Sequence, residues 1–247
     1  MTVVAAKMFE VLDCIAKDDQ DVVGLARLTQ RTSIPKATLY RLLCDLKSAG
    51  LVDHAAGGYS LGTQLFTLGN AVPRYRRLRR LALPHLEQLT RESGDTIHLT
   101  ALQDSCVVVL EKVHGRHRLH IPTVVGSRLP LHSSASGKAM LAHAPADVAE
   151  RVLGSALTPY TKHTMRAPGL LERQLMRCRE EGVIVESEET FAGVGCVASP
   201  ILDENGTLIG AISGSGDPAT RAAQPSARRL RGAAAEISRR LAEATAA

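Results

Sequence analysis

Between Ser33 and Leu61 the hydrophobic period of the chain changes once, and that change limits what the segment can become. Leu39, Leu42, Leu43 and Leu46 repeat at i, i+3, i+4 and i+7, the spacing that lines one face of an α-helix. Ser33 offers an N-cap side chain, Pro35 fits a first turn where a missing N–H costs nothing, and Gly50 stops the helix. Lys36, Thr38, Tyr40, Arg41 and Lys47 fall on the other faces. Leu51-Val52 and Tyr59-Ser60-Leu61 then read as two short strands joined at Gly57-Gly58, because consecutive glycines supply the positive φ of a tight turn. A helix feeding straight into a two-stranded ribbon is the plan of a recognition helix with its wing. Lys36, Thr38, Tyr40 and Arg41 are of the types that hydrogen-bond phosphates and base edges in a major groove, so duplex DNA is the first partner implied.

Upstream, Val4, Met8, Val11, Leu12 and Ile15 give a first amphipathic helix, ended by the polar run from Lys17 to Asp21. A shorter second helix is expected around Val22 to Thr29, burying Leu25 and Leu28, with Gln30-Arg31-Thr32 as the turn into the third. Acids cluster early (Glu10, Asp13, Asp18, Asp19, Asp21) and bases later (Arg27, Arg31, Lys36, Arg41, Lys47), so this part is polarised rather than uniformly basic. The formal net charge of +5 and pI near 9.1 permit a nucleic-acid partner without proving one. Aromatic residues make up 3% of the chain and Trp is absent, which argues against the stacking platforms that hold single strands.

Leu61, Leu65, Leu68 and Val72 are expected on one face of a following helix that Pro73 interrupts, and the first domain, 1–72, is placed to end there. Residues 73–94 read as a linker helix carrying Leu78, Leu81, Leu86 and Leu89, with Pro84 as a kink. Its arginine run, from Arg74 to Arg80, makes Arg76 and Arg77 candidates for phosphate contact, and Arg27 joins them. From Asp95 the period changes again. Strands are expected over Thr96 to Gln103, Cys106 to Val113, Gly182 to Ser187, Gly195 to Leu202 and Thr207 to Ser213, and helices over Ala135 to His143, Pro168 to Glu181 and from about Pro225. Without regular βαβ alternation, 95–247 reads as an α+β sensor-like domain and not a dinucleotide-binding fold.

Five cysteines without a C-x-x-C pair indicate neither a disulfide framework nor a Cys-based zinc site, and a reducing cytoplasm fits them best. No signal peptide is read at the start and no stretch approaches a membrane span. His114, His117 and His120 do not form a metal set, because in extended chain His117 points away from the other two. Ser136-Gly137-Lys138 is not a phosphate loop, since His132 and Ala139 stand where the pattern needs Gly and Ser or Thr. No cofactor is indicated.

Several fragments, in this order and spacing, resemble the isocitrate-lyase-regulator (IclR) family of bacterial transcription factors: Ile34 to Leu43, Tyr59 to Gly62, Leu83 to Leu86, Gly94 to Leu99, Val125 to His132, Gly195 to Pro200 and Ile212 to Gly216. The resemblance covers nearly the whole chain. It implies an N-terminal winged helix-turn-helix, a linker helix and a C-terminal GAF-like α/β sensor domain, in homodimers that often pair into tetramers. It also maps an effector pocket onto Ala135, Ser136, Glu186, Cys196, Ser213 and Ser215, with Leu119 and Ile121 as apolar wall. Ala135 and Ser136 open a helix whose N–H groups could receive a carboxylate, and Ser213 and Ser215 share one strand face, so a small organic acid is the expected ligand. Glu186 and Ser187 depart from the family's usual acids, and Ala135 from a position that can be glycine. Two rival readings remain. One is an enzyme with Cys196 as nucleophile and His98 or His132 as base; the other is a constitutive DNA-binding or assembly module without a ligand.

Overall fold

The structure is a computed structural model that describes residues 2–55, 57–117, 119–221 and 224–246, with the backbone alone at 220, 221, 224–226, 245 and 246. The chain divides into two compact units, Met1–Arg76 and Arg77–Ala247.

In the first unit α1 (Val3–Ala16), α2 (Leu25–Arg31) and α3 (Lys36–Ser48) precede an antiparallel ribbon of β1 (Val52–Ala55) and β2 (Gly58–Leu61), followed by α4 (Thr63–Ala71). Val11, Cys14 and Ile15 of α1 and Leu28 of α2 form one buried cluster with Leu39, Leu42, Leu43 and Leu46 of α3. Each buried leucine contributes about 1.5–3 kcal/mol by leaving water, so the stripe decides which face of α3 turns inward. Gly50, at φ +68, ends the helix in the left-handed region.

Three local expectations for this unit need correction. The second helix starts at Leu25 rather than Val22, because Val23 and Tyr59 pair as an isolated antiparallel bridge, with N–H···O distances of 2.8 and 2.9 Å. Gly58 permits that approach, since a Cβ there would lie 2.8 Å from the Val23 carbonyl oxygen. Ser33 does not cap α3: Pro35 occupies the N-cap position, and Ser33 gives its amide and hydroxyl to Glu10 Oε1 at 3.1 and 3.3 Å. Leu61 ends β2 instead of sharing a helix face with Leu65, and α4 buries none of its residues within this unit.

The second unit takes most of α5 (Pro73–Ser93), which runs through Pro84 without ending. After it come β3 (Thr96–Gln103), β4 (Cys106–Val113), β5 (Arg128–Pro130), α6 (Ala135–Leu141), α7 (Ala146–Leu153) and α8 (Pro168–Glu181). The chain closes with β6 (Ile184–Ser187), β7 (Gly195–Leu202), β8 (Leu208–Gly216), α9 (Pro218–Arg221) and α10 (Gln224–Ala246). The six strands form one antiparallel sheet in the order β5-β4-β3-β8-β7-β6. Gly182 is the left-handed C-cap of α8 at φ +71, so β6 begins at Ile184, later than expected. The expected α6 stops at Leu141, short of His143, and β8 runs on to Gly216.

Side chains alternate across a sheet, and here the alternation separates two environments. Ala211 packs into an apolar cluster with Ala135, Ala139 and Leu175, while Gly210, pointing the other way, lies against Leu78 of α5. Ser213 and Ser215 share the face of Ala211. Every residue of α6 is buried, so this short helix is held by its surroundings rather than by its own propensity.

Candidate functional site

The outward side of α3 carries the first set of candidates. Lys36, Tyr40 and Arg41 are exposed, Tyr40 to 55%, whereas Thr38 is half-buried. Among the described residues Lys36 and Arg41 form no ion pair, so both cations remain open to an anionic partner. Arg27 is placed differently. Its Nε lies 2.8 Å from Asp18 Oδ2 and its guanidinium also meets Asp19, which commits it to acids of its own unit. Arg76 and Arg77 are exposed on α5, where the two units divide.

The second set converges in three dimensions. A cavity of about 30 Å³ is walled by Ile121, Ala135, Ser136, Glu186, Cys196, Ser213 and Ser215, seven of the eight expected positions. Leu119 is the exception, lining a neighbouring cavity of about 300 Å³ with Lys112, His114 and His120; Ile121 and Thr123 belong to both. Strand register explains the convergence. Glu186 pairs with Cys196, Cys196 with Ser215 and Ser215 with Thr96, while the adjacent rung runs Ala198, Ser213, His98, Lys112. Residues far apart in sequence therefore stand side by side on one face.

Hydrogen bonds hold the lining in place. Ser136 Oγ donates to Ser213 Oγ at 2.9 Å, Cys196 Sγ and Ser215 Oγ lie 3.1 Å apart, and Ser134, the N-cap of α6, accepts the Gly137 N–H at 3.1 Å. The first-turn amides of Ala135 and Ser136 have no acceptor within the helix, as at any helix start. Lys138 is fully buried; its ammonium pairs with Glu189 and donates to Gln174 Oε1 at 2.9 Å, which ties the loop after β6 to α6 and α8.

Two titratable groups in the wall are displaced from their ordinary range. Burial pushes the Glu186 carboxyl up to about 7, against hydrogen bonds from the Glu189 amide and from Cys196. Burial, with help from the Lys112 charge, holds His98 down at about 3, where its neutral ring meets Thr123 Oγ1 at 2.9 Å. His132 directs Nε2 at the Thr158 carbonyl, 2.9 Å away, so both rings engage threonine oxygens. Among the described residues no three His, Cys, Asp or Glu side chains converge as a metal set.

Sequence reasoning missed His98, Thr123, Leu129, Ser134, Thr190, Phe191 and Val194 as wall residues. His98 was legible in principle: it stands opposite Ser213, and a strand pairing would have revealed it. Thr190, Phe191 and Val194 lie in an irregular loop, where no period marks which side chains face inward.

Comparison with known proteins settles the family. The model of the bacterial transcriptional regulator IclR C-terminal domain matches residues 71–241, and that of the IclR helix-turn-helix domain matches residues 4–55. The chain belongs to the IclR family. It is 31% identical over 210 residues to the HTH-type transcriptional regulator KdgR of Escherichia coli, covering 84% of this chain and 79% of KdgR. It is 30% identical over 212 residues to the transcriptional repressor IclR of the same organism, covering 84% and 77%. Among solved structures, an IclR homologue from Microbacterium hydrocarbonoxydans complexed with 4-hydroxybenzoate superposes with TM-score 0.89 at 28% identity, over 96% of this chain and 98% of that one. The IclR of Thermotoga maritima gives TM-score 0.74 at 31% identity, over the same shares. This IclR-family member is thus a transcriptional regulator with a helix-turn-helix domain and a C-terminal ligand-binding domain. None of its described helices is long and apolar enough to cross a membrane.

Proposed function

We propose that this IclR-family regulator reads duplex operator DNA through the outward strip of α3 and changes its operator affinity when a small carboxylate metabolite occupies the pocket under α6. The observation that carries the reading is the division of α3 itself. Leu39, Leu42, Leu43 and Leu46 are buried, while Lys36, Tyr40 and Arg41 stay open on the other side. Lys36 begins the helix, where partial positive charge and unpaired N–H groups favour a phosphate. Thr38, Tyr40 and Arg41 are the base-edge or near-base contacts, and Arg76 and Arg77 add backbone contacts from the linker. Arg27 is dropped from this set, because Asp18 and Asp19 hold it.

For the effector, the amides of Ala135 and Ser136 and the hydroxyls of Ser136, Ser213 and Ser215 form a donor-rich end suited to a carboxylate. The 4-hydroxybenzoate bound by the Microbacterium homologue supports an organic acid as the class. A cavity of about 30 Å³ holds about one water, so an acid enters only by displacing wall groups such as Phe191. That displacement couples binding to shape, since a ligand shifts an equilibrium only through its different affinities for two arrangements. The functional parts are a DNA-binding domain at 1–72, a linker at 73–94 and an effector domain at 95–247, working in the cytoplasm as a homodimer or a dimer of dimers.

The test is a fluorescence-anisotropy titration of the DNA flanking the protein's own gene, with and without a panel of small carboxylates. Saturable binding that a carboxylate weakens or strengthens is expected. Operator binding unmoved by any acid, with no thermal stabilisation by one, would favour a constitutive DNA-binding module.

A further inference from the structure

We infer that the Glu186 carboxyl enters the effector complex as a hydrogen-bond donor to the effector's carboxylate, keeping its own proton, so that binding takes up protons from solvent above neutral pH. The inference rests on the pocket being the effector site.

Geometry leaves the acid little choice. Glu186 is 3% exposed and shares a cross-strand rung with Cys196 and Ser215 in the cavity wall. Among the described residues no lysine or arginine lines that cavity. Glu186 Oε2 accepts the Glu189 N–H at 2.9 Å, and the Cys196 thiol hydrogen-bonds the carboxyl from β7. The charged groups that act on it from the packed elements are Glu189, in the loop that follows β6, and Lys138 on α6. Lys138 already engages Glu189 and Gln174, and His98, across the pocket, is neutral at physiological pH.

An effector carboxylate set against an ionised Glu186 would place two buried like charges together with no cation among the wall residues to separate them, which strongly disfavours the doubly ionised state. With one proton on Glu186 the same contact becomes a charge-assisted O–H···O⁻ bond. In the empty pocket burial already holds the carboxyl at about 7, so near neutrality the proton is present in a large fraction of molecules. The balance is simple: ionised Glu186, one proton and the carboxylate ligand give the hydrogen-bonded complex, and no bond to carbon changes.

The experiment has two arms, both on the full chain. In the first, infrared difference spectra of wild type minus Glu186→Gln are recorded across pH without ligand, and a protonated-carboxyl band lost around pH 7 is expected. Its absence at pH 6 overturns the inference. In the second, acetate, pyruvate, benzoate and 4-hydroxybenzoate are titrated calorimetrically at pH 6 and pH 8 in buffers of different protonation enthalpy. A binding acid should bring in most of one proton per site at pH 8 and much less at pH 6, with affinity falling as pH rises above 7. Glu186→Gln, which keeps a donor without titrating, should bind the same acid with no proton uptake and a flat pH profile. Binding by wild type without uptake at pH 8, or loss of binding in Glu186→Gln at both pH values, overturns the inference while the effector reading stands. No binding by the whole panel, with the infrared band present, instead removes the carboxylate-effector reading and leaves Glu186 a proton carrier.

Discussion

The two units build their functional surfaces by opposite means. In the first, one helix of thirteen residues supplies both the buried stripe and the exposed strip, so fold and candidate contact surface are two faces of one segment. In the second, the pocket draws on β3, β5, α6, β6, β7, β8 and the loops between them, and no single segment contains it. The lesson is one of vulnerability. A surface carried by one helix can lose a contact without losing the fold, whereas a pocket assembled from distant strands shares its residues with the core.

The sharpest way to break that comparison is at Lys138. Lys138→Ala leaves Glu189 buried without its cation and should destabilise the second unit by about 3–5 kcal/mol, while Lys138→Met with Glu189→Gln should come close to wild type. Denaturant unfolding followed on the second unit reads this out, and a mild effect of the single change would mean that the pocket loop does not depend on the pair. Next in size is Leu43→Ala in the first unit, expected to cost about 2–5 kcal/mol by leaving a cavity in the α3 stripe. Operator binding should weaken with it and acid binding should not; equal losses of both would erase the distinction between the units.

Arg41→Ala should leave the unfolding curve unchanged and cost about 1–3 kcal/mol of operator binding if the side chain reads a base. Uniform weakening across sequences, with a shallower salt dependence, would assign it to phosphate, and unaltered affinity would remove it from the surface. The smallest expected effect concerns His98. Its folded value, about 3, lies below the ordinary 6.5, so its contribution is present above pH 6.5 and is lost as pH falls through that window towards 3. At pH 5.5 the loss should be on the order of 1 kcal/mol, and stability curves of wild type and His98→Asn should converge as pH falls from about 7 to about 5.5.

Legibility followed the same division. The stripe of α3, the wing at Gly57 and Gly58, and strands such as Thr96–Gln103 and Cys106–Val113 could be read directly, because their signals are periodic and local. The start of α2 could not, since Val23 is claimed by a bridge to Tyr59 across the unit. The short elements β5 and α9 went unread, being too brief to show a period, and α7 went unread although it is longer than α2 and α6. Of the eight pocket positions that the family resemblance implied, seven line one cavity together, and Leu119 lines the adjoining one.

The amino-acid order alone determined which face of α3 is apolar, where glycines allow the chain to turn, and that strands and helices mix in the second half, because these depend on neighbours within a few residues. Only the tertiary structure decided that Arg27 is held by Asp18 and Asp19, that His98 stands opposite Ser213, and that Glu186 is sealed beside Cys196. Those facts follow from strand register and burial. Both are set by the whole sheet closing at once, and a carboxyl's proton affinity depends on the water that closure removes.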